Sequence, residues 1–157
     1  MTRHEDKARE LFKMGYNCSQ AVVLSFADEL SIDFDSLVKI SASFGGGIGR
    51  MREICGAFSG VCMVIGMLFS NADTNIPEKK KEHYEIVQKF AEEFKKRNGS
   101  YRCYELLGID LKKEDPTPEA RTPKYYAKRP CPEIIVEAVK MIDDYIENGG
   151  TFPEIEE

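Results

Sequence analysis

Sixteen consecutive residues, Ile54 to Phe69, carry no charge, and nothing else in the chain is so apolar. Such a stretch is either a membrane span or the central helix of a globular core. It falls short of the roughly 20 apolar residues a span needs, and Gly56, Gly60 and Gly66 interrupt it. It therefore reads as a buried helix, apolar all round, that requires partners on every side. Just before it, Gly45, Gly46, Gly47 and Gly49 break any regular element and admit left-handed backbone.

The segments that could surround this helix are themselves helical in pattern. His4, Ala8, Leu11, Phe12 and Gly15 repeat at helical spacing over residues 3–15, behind Thr2 as a candidate N-cap. Asn17 is a good cap for a second helix running to about Leu30, with Cys18, Ala21, Val22, Ser25 and Phe26 on one face. A third helix starts at Asp33 or Asp35 and ends near Phe44. The segment NADTNIPEKKK reads as a surface loop before a helix over about 78–97, whose inner face is His83, Val87, Phe90, Ala91 and Phe94 and whose stop is Asn98-Gly99.

Cys103 opens a short helical piece ended by Gly108. From Ile109 to Pro130 four prolines and no period predict an irregular, functional or mobile loop. Cys131-Pro132 then opens the last helix, with Cys131, Ile134, Ile135, Ala138, Ile142 and Tyr145 facing inward. No strand alternation is visible. The expected fold is all-α: a single domain, 1–157, forming a bundle of about six helices around the central apolar one.

At 157 residues the chain can bury a core without disulfides. The first eleven residues, MTRHEDKAREL, are too charged for a signal peptide, so a cytoplasmic protein is expected. In that compartment the five cysteines suit metal binding or redox chemistry better than structural disulfides. A net charge of -5 and a pI near 5.2 argue against general binding to nucleic acid or anionic membranes.

The cysteines lie at 18, 55, 62, 103 and 131, and none forms a C-x-x-C pair. That spacing excludes a zinc ribbon, a thioredoxin-type dithiol and c-type haem attachment. Cys18, Cys103 and Cys131 each fall at an expected helix start, where the positive end of the dipole favours a thiolate. Cys55 follows Arg50 and Arg52. Four cysteines in thiolate-favouring places suggest a common site, since the thiolate is both the nucleophile and the metal ligand. Cys62 lies about 10 Å along the helix from Cys55 and reads as packing. His4 and His83 fall on apolar faces and read as core or boundary residues, His83 being the better non-cysteine ligand. Gly56 and Gly60, at i and i+4, leave room for either a helix or a cluster. The run Gly45 to Gly49 either aims amides at sulfur, as anion-binding concavities do, or serves as a helix–helix turn.

Cys55-Gly56-Ala57-Phe58-Ser59-Gly60 reads as C-G-A-x-x-G. With Cys18 upstream in Tyr16-Asn17-Cys18-Ser19-Gln20-Ala21, and Cys103 and Cys131 downstream, the chain resembles the C_GCAxxG_C_C family of redox-active proteins over nearly its whole length. The resemblance implies a small prokaryotic helical protein whose four characteristic cysteines are Cys18, Cys55, Cys103 and Cys131. A related domain of split-Soret-type cytochromes is associated with an iron–sulfur cluster; this chain has no C-x-x-C-H and is expected to carry no c-type haem. The leading expectation is an iron–sulfur cluster of [2Fe–2S] type on those four thiolates, for electron transfer or sensing with a redox partner protein. The alternatives are a metal-free thiol/disulfide protein and a structural zinc site with four cysteine ligands. No general base, nucleophile dyad or nucleotide site is apparent.

Overall fold

The computed structural model of the chain describes residues 3–70, 75–111 and 114–154. Thr2, residues 71–74 of the expected surface loop, and Lys112 and Lys113 lie outside the described residues. Among the described residues eight helices follow one another: α1 (Arg3–Lys13), α2 (Cys18–Ser25), α3 (Phe34–Ser41), α4 (Gly56–Phe69), α5 (Pro77–Asn98), α6 (Cys103–Leu107), α7 (Pro123–Lys128) and α8 (Cys131–Glu147). The fold is all-α, and among the described residues the β pairing is an isolated antiparallel bridge, Ile54 with Arg102.

Local chemistry explains the boundaries. Asn17 and Gln20 form a full capping box at α2, each side chain accepting from the other's backbone N–H, at 2.9 and 3.0 Å. Asp33 caps α3 by accepting from the Ser36 amide at 3.0 Å. Gly99 and Gly108 end α5 and α6 in the left-handed conformation. The segment 109–130 is not irregular throughout, contrary to expectation. Thr122 accepts from the Tyr125 amide at 3.2 Å and Pro123 takes the first turn, which starts α7.

Two helices rather than one form the axis of the core. α4 buries Gly56, Ala57, Phe58, Gly60, Val61, Val64 and Ile65, but Ser59, Cys62, Met63, Gly66 and Met67 are half-buried and Phe69 is exposed. Its partners therefore cover one broad face and not every side. α2, by contrast, buries Ser19, Ala21, Val22, Val23, Leu24 and Ser25, so it is enclosed nearly all round. The two cross where Gly60 sits: a Cβ there would lie 2.9 Å from the Ser19 carbonyl oxygen and 2.9 Å from Val22 Cβ. α1 and α8 flank α2, while α5 and α8 flank α4.

Charge is buried only where it is matched. Arg97 of α5 bonds Glu93 at 2.8 Å, Glu137 at 3.0 Å and Asp144 at 3.1 Å, and so ties α5 to α8. His4 sits between Asp143 at 2.9 Å and Glu29 at 2.7 Å, with its ring stacked on Phe26, which is the satisfied boundary role expected of it.

The glycines of α4 are therefore unequal. Gly60→Val forces α2 and α4 apart and should cost about 1–3 kcal/mol. Gly66→Ala meets nothing within 4 Å and should be neutral or stabilising by up to about 1 kcal/mol. Denaturant melts of the two variants check the contrast; equal effects would refute the close crossing.

Candidate redox and metal site

Each of four cysteines stands at a helix start. Cys18, Cys103 and Cys131 are the first residues of α2, α6 and α8, and Cys55 is the N-cap of α4. All four line one cavity of about 350 Å³. The capping box at Asn17 fixes the first. The bridge at Ile54 fixes the next two: Cys55 N–H donates to the Tyr101 carbonyl at 2.8 Å, Cys103 N–H to that of Glu53 at 2.6 Å, and Tyr104 N–H to that of Arg52 at 3.1 Å. Two stretches nearly fifty residues apart in the chain are thereby laid side by side.

The loop before the bridge is conformationally unusual. φ is positive at five residues running, Gly46 to Arg50, and again at Arg52. Ile48, Arg50 and Arg52 have no glycine freedom, so each adds strain of about 1–3 kcal/mol. Tight packing enforces the shape: a Cβ on Gly47 would lie 2.7 Å from both Arg52 Cα and Cys103 Cβ. The amides of Gly49, Arg50, Arg52 and Glu53 donate to the carbonyls of Ser43, Gly45, Gly46 and Gly47, so they are spent inside the loop and not on sulfur. The loop turns the chain and carries Arg50 and Arg52 to the cavity. Gly56 has a separate task, because a Cβ there would overlap the Cys18 sulfur.

The cavity is also rich in guanidinium. Arg50, Arg52, Arg121 and Arg129 line it with Glu119. Arg52 is buried; its Nη1 lies 3.8 Å from Cys103 Sγ, while its Nε and Nη2 donate to Glu114. Arg50 donates to the same carboxylate at 3.3 Å. Residues 114–121 form a strap along the cavity, to which Pro116 and Pro118 contribute lining. It is fastened at three points: Glu114 on the two arginines, Glu119 on Arg129 at 2.8 Å, and Arg121 on the Phe12 and Tyr16 carbonyls at 2.8 and 3.1 Å. Arg121 also lies over the Phe12 ring, 3.9 Å from its centroid.

The thiols are not the ready thiolates that helix starts alone would make. Burial pushes Cys55 well above the ordinary thiol value, with the neighbouring Cys18 adding to it. Burial, then Cys18 and Cys103, raises Cys131 to about 12. Cys103 is raised too, its burial partly offset by the Arg52 hydrogen bond. Three of the four are therefore protonated at neutral pH in the metal-free chain, since desolvation outweighs the dipole. Among the described residues no group of three or more His, Cys, Asp or Glu side chains is arranged to hold a metal ion.

Other candidates lie elsewhere. Cys62 is half-buried against the core, raised to about 11 by burial, and His83 on α5 is not part of the cavity lining. Sequence reasoning had no means of finding Glu114 or Glu119, whose partners are Arg52 and Arg129.

Raised thiol values set the alkaline behaviour of the metal-free protein. The unfolded chain releases these protons from about pH 8.5 upward, whereas Cys62 and Cys131 hold theirs to about 11 and about 12 in the fold. The contribution of these thiols to stability is fully present below about pH 8.5 and should be lost steadily as the pH climbs to about 12. Cys62→Ala and Cys131→Ala should each flatten a plot of melting temperature against pH; a profile already flat would contradict the assignment. Gly56→Ala should displace the Cys18 thiol, raise its alkylation rate and lower the melting temperature.

The fold is shared with a cytochrome. A solved structure of the split-Soret cytochrome c from Desulfovibrio desulfuricans ATCC 27774, described as having a novel iron centre, matches 96% of this chain and 72% of its own, at 15% identity and a TM-score of 0.59. No curated protein matches the chain. Residues 16–145, which hold all four cavity cysteines, match the family model described as "Putative redox-active protein (C_GCAxxG_C_C)". The chain belongs to the C_GCAxxG_C_C family.

Proposed function

We propose that Cys18, Cys55, Cys103 and Cys131 hold an iron–sulfur cluster of [2Fe–2S] type, and that the protein passes or senses electrons with a protein partner in the cytoplasm. The observation that carries this reading is the convergence of four cysteines from four helix starts on one cavity. Four thiolates are the ligand count such clusters use. Among the described residues no helix is long and apolar enough to cross a membrane.

The surroundings suit an anionic group. The N-terminal ends of α2, α4 and α8 and the buried Arg52 offset negative charge on the sulfurs. Gly56 keeps the Cys18 sulfur free of a clash, and Pro116 and Pro118 of the strap line one side of the cavity. Metal binding would displace the protons that burial holds on Cys55, Cys103 and Cys131. A bound cluster supplies one-electron chemistry. The iron centre of the cytochrome that shares this fold lends support.

The alternatives fare less well. A thiol/disulfide protein wants low thiol pKa values, and burial raises those of Cys55, Cys103 and Cys131. A single zinc ion wants four sulfurs about 2.3 Å from one point, and among the described residues no group of three or more ligands is so arranged.

Protein purified without oxygen should show visible absorption with stoichiometric iron and sulfide. Cys18→Ser, Cys55→Ser, Cys103→Ser and Cys131→Ser should each lose that absorption and melt at lower temperature, and Cys62→Ser should keep it. Colourless protein containing zinc would overturn the cluster in favour of a structural site. Metal-free protein with one defined disulfide under oxidant would establish the thiol reading.

A further inference from the structure

Arg52 is held more firmly than packing alone requires. Its φ is 59°. Its amide donates to the Gly46 carbonyl and its own carbonyl accepts from Tyr104, both at 3.1 Å. Gly47 abuts its Cα. The guanidinium then has one position, with Nη1 3.8 Å from Cys103 Sγ and Nε and Nη2 on Glu114 of the strap. Glu114 is held below the usual carboxylate range, first by that hydrogen bond, so it is ionised. Cys103, Arg52 and Glu114 thus form a chain of contacts from the cavity to a segment 62 residues after Arg52, and its charges alternate once Cys103 is a thiolate.

Resting on the proposed redox centre, we infer that Arg52 is a positioning residue that sets its reduction potential and that Glu114 attenuates the effect. Each electron added to the centre adds one negative charge. A cation hydrogen-bonded to a ligand sulfur stabilises the reduced state most, and raises the potential. A carboxylate behind that cation acts with the opposite sign. Moving residues 114–121 away from Arg52 would therefore raise the potential, which makes the position of the strap an electrical signal to the centre.

Potentiometric titration of the intact, anaerobically purified protein, with mediator dyes and dithionite as reductant, reads this directly. Arg52→Gln should shift the midpoint to more negative values and Glu114→Gln to more positive ones, at unchanged iron content. Arg52→Lys should restore part of the first shift, and Lys95→Gln, on the exposed side of α5, should leave the midpoint in place. A purely structural role would not give shifts of opposite sign. Shifts in the same direction, or none, overturn the inference. If Arg52→Gln fails to fold, Glu114→Gln decides alone. A reducible centre whose potential ignores Glu114 refutes this inference only; a protein with no reducible centre refutes the proposed function as well.

Discussion

The antiparallel bridge between Ile54 and Arg102 is the contact on which the rest of the site depends. It consists of only a few backbone hydrogen bonds, each worth about 0.5–1.5 kcal/mol. Yet it aligns the starts of α4 and α6, so that Cys55 and Cys103 face one cavity and Arg52 lies beside the second sulfur. The left-handed loop exists to feed that bridge. A chain leaving α3 must reverse and deliver Arg50 and Arg52 in a few residues, and the run of positive φ from Gly46 to Arg50 does so.

Burial and charge oppose one another at the cavity. Desolvation keeps three thiols protonated, while helix N-termini and arginines would favour them ionised. At Cys55, Cys103 and Cys131 desolvation prevails. Occupation by a cation or a cluster would reverse the balance, because metal–sulfur bonds replace the lost hydration. Cys55, Cys103 and Cys131 are thus kept as neutral thiols among guanidinium groups. The same weighing appears at Arg97, where three carboxylates make burial of a guanidinium tolerable.

Much of the helical frame was legible in the chain. The caps at Asn17 and Asp33, the stops at Gly99 and Gly108 and the apolar run of α4 are local signals and appear where expected. α7 was not legible, because its prolines suggested a loop, although Thr122-Pro123 is a helix start. The enclosure of α2 was underestimated: it depends on α1, α4 and α8 arriving from three sides, which no local pattern encodes. The glycines at 46, 47 and 49 announced positive φ, but Ile48, Arg50 and Arg52 did not, since tertiary packing imposes it on them. Cys18, Cys103 and Cys131 stand at helix starts, as expected. The protonation of Cys55, Cys103 and Cys131 was misjudged, because burial is a property of the finished fold.

The spread of the four cavity cysteines along the chain has a consequence for biosynthesis. Cys18 and Cys131 are separated by 113 residues (131 − 18), and at about 5–20 residues per second a ribosome needs roughly 6 to 23 seconds to get from one to the other. Throughout that interval Cys18, and soon Cys55, emerge as thiols with no finished cavity to enclose them. The wall supplied by α8 is the last to be made. A group bound by all four cysteines would therefore have to meet a polypeptide that already extends through Cys131, after Cys18 had spent that interval as an unenclosed thiol.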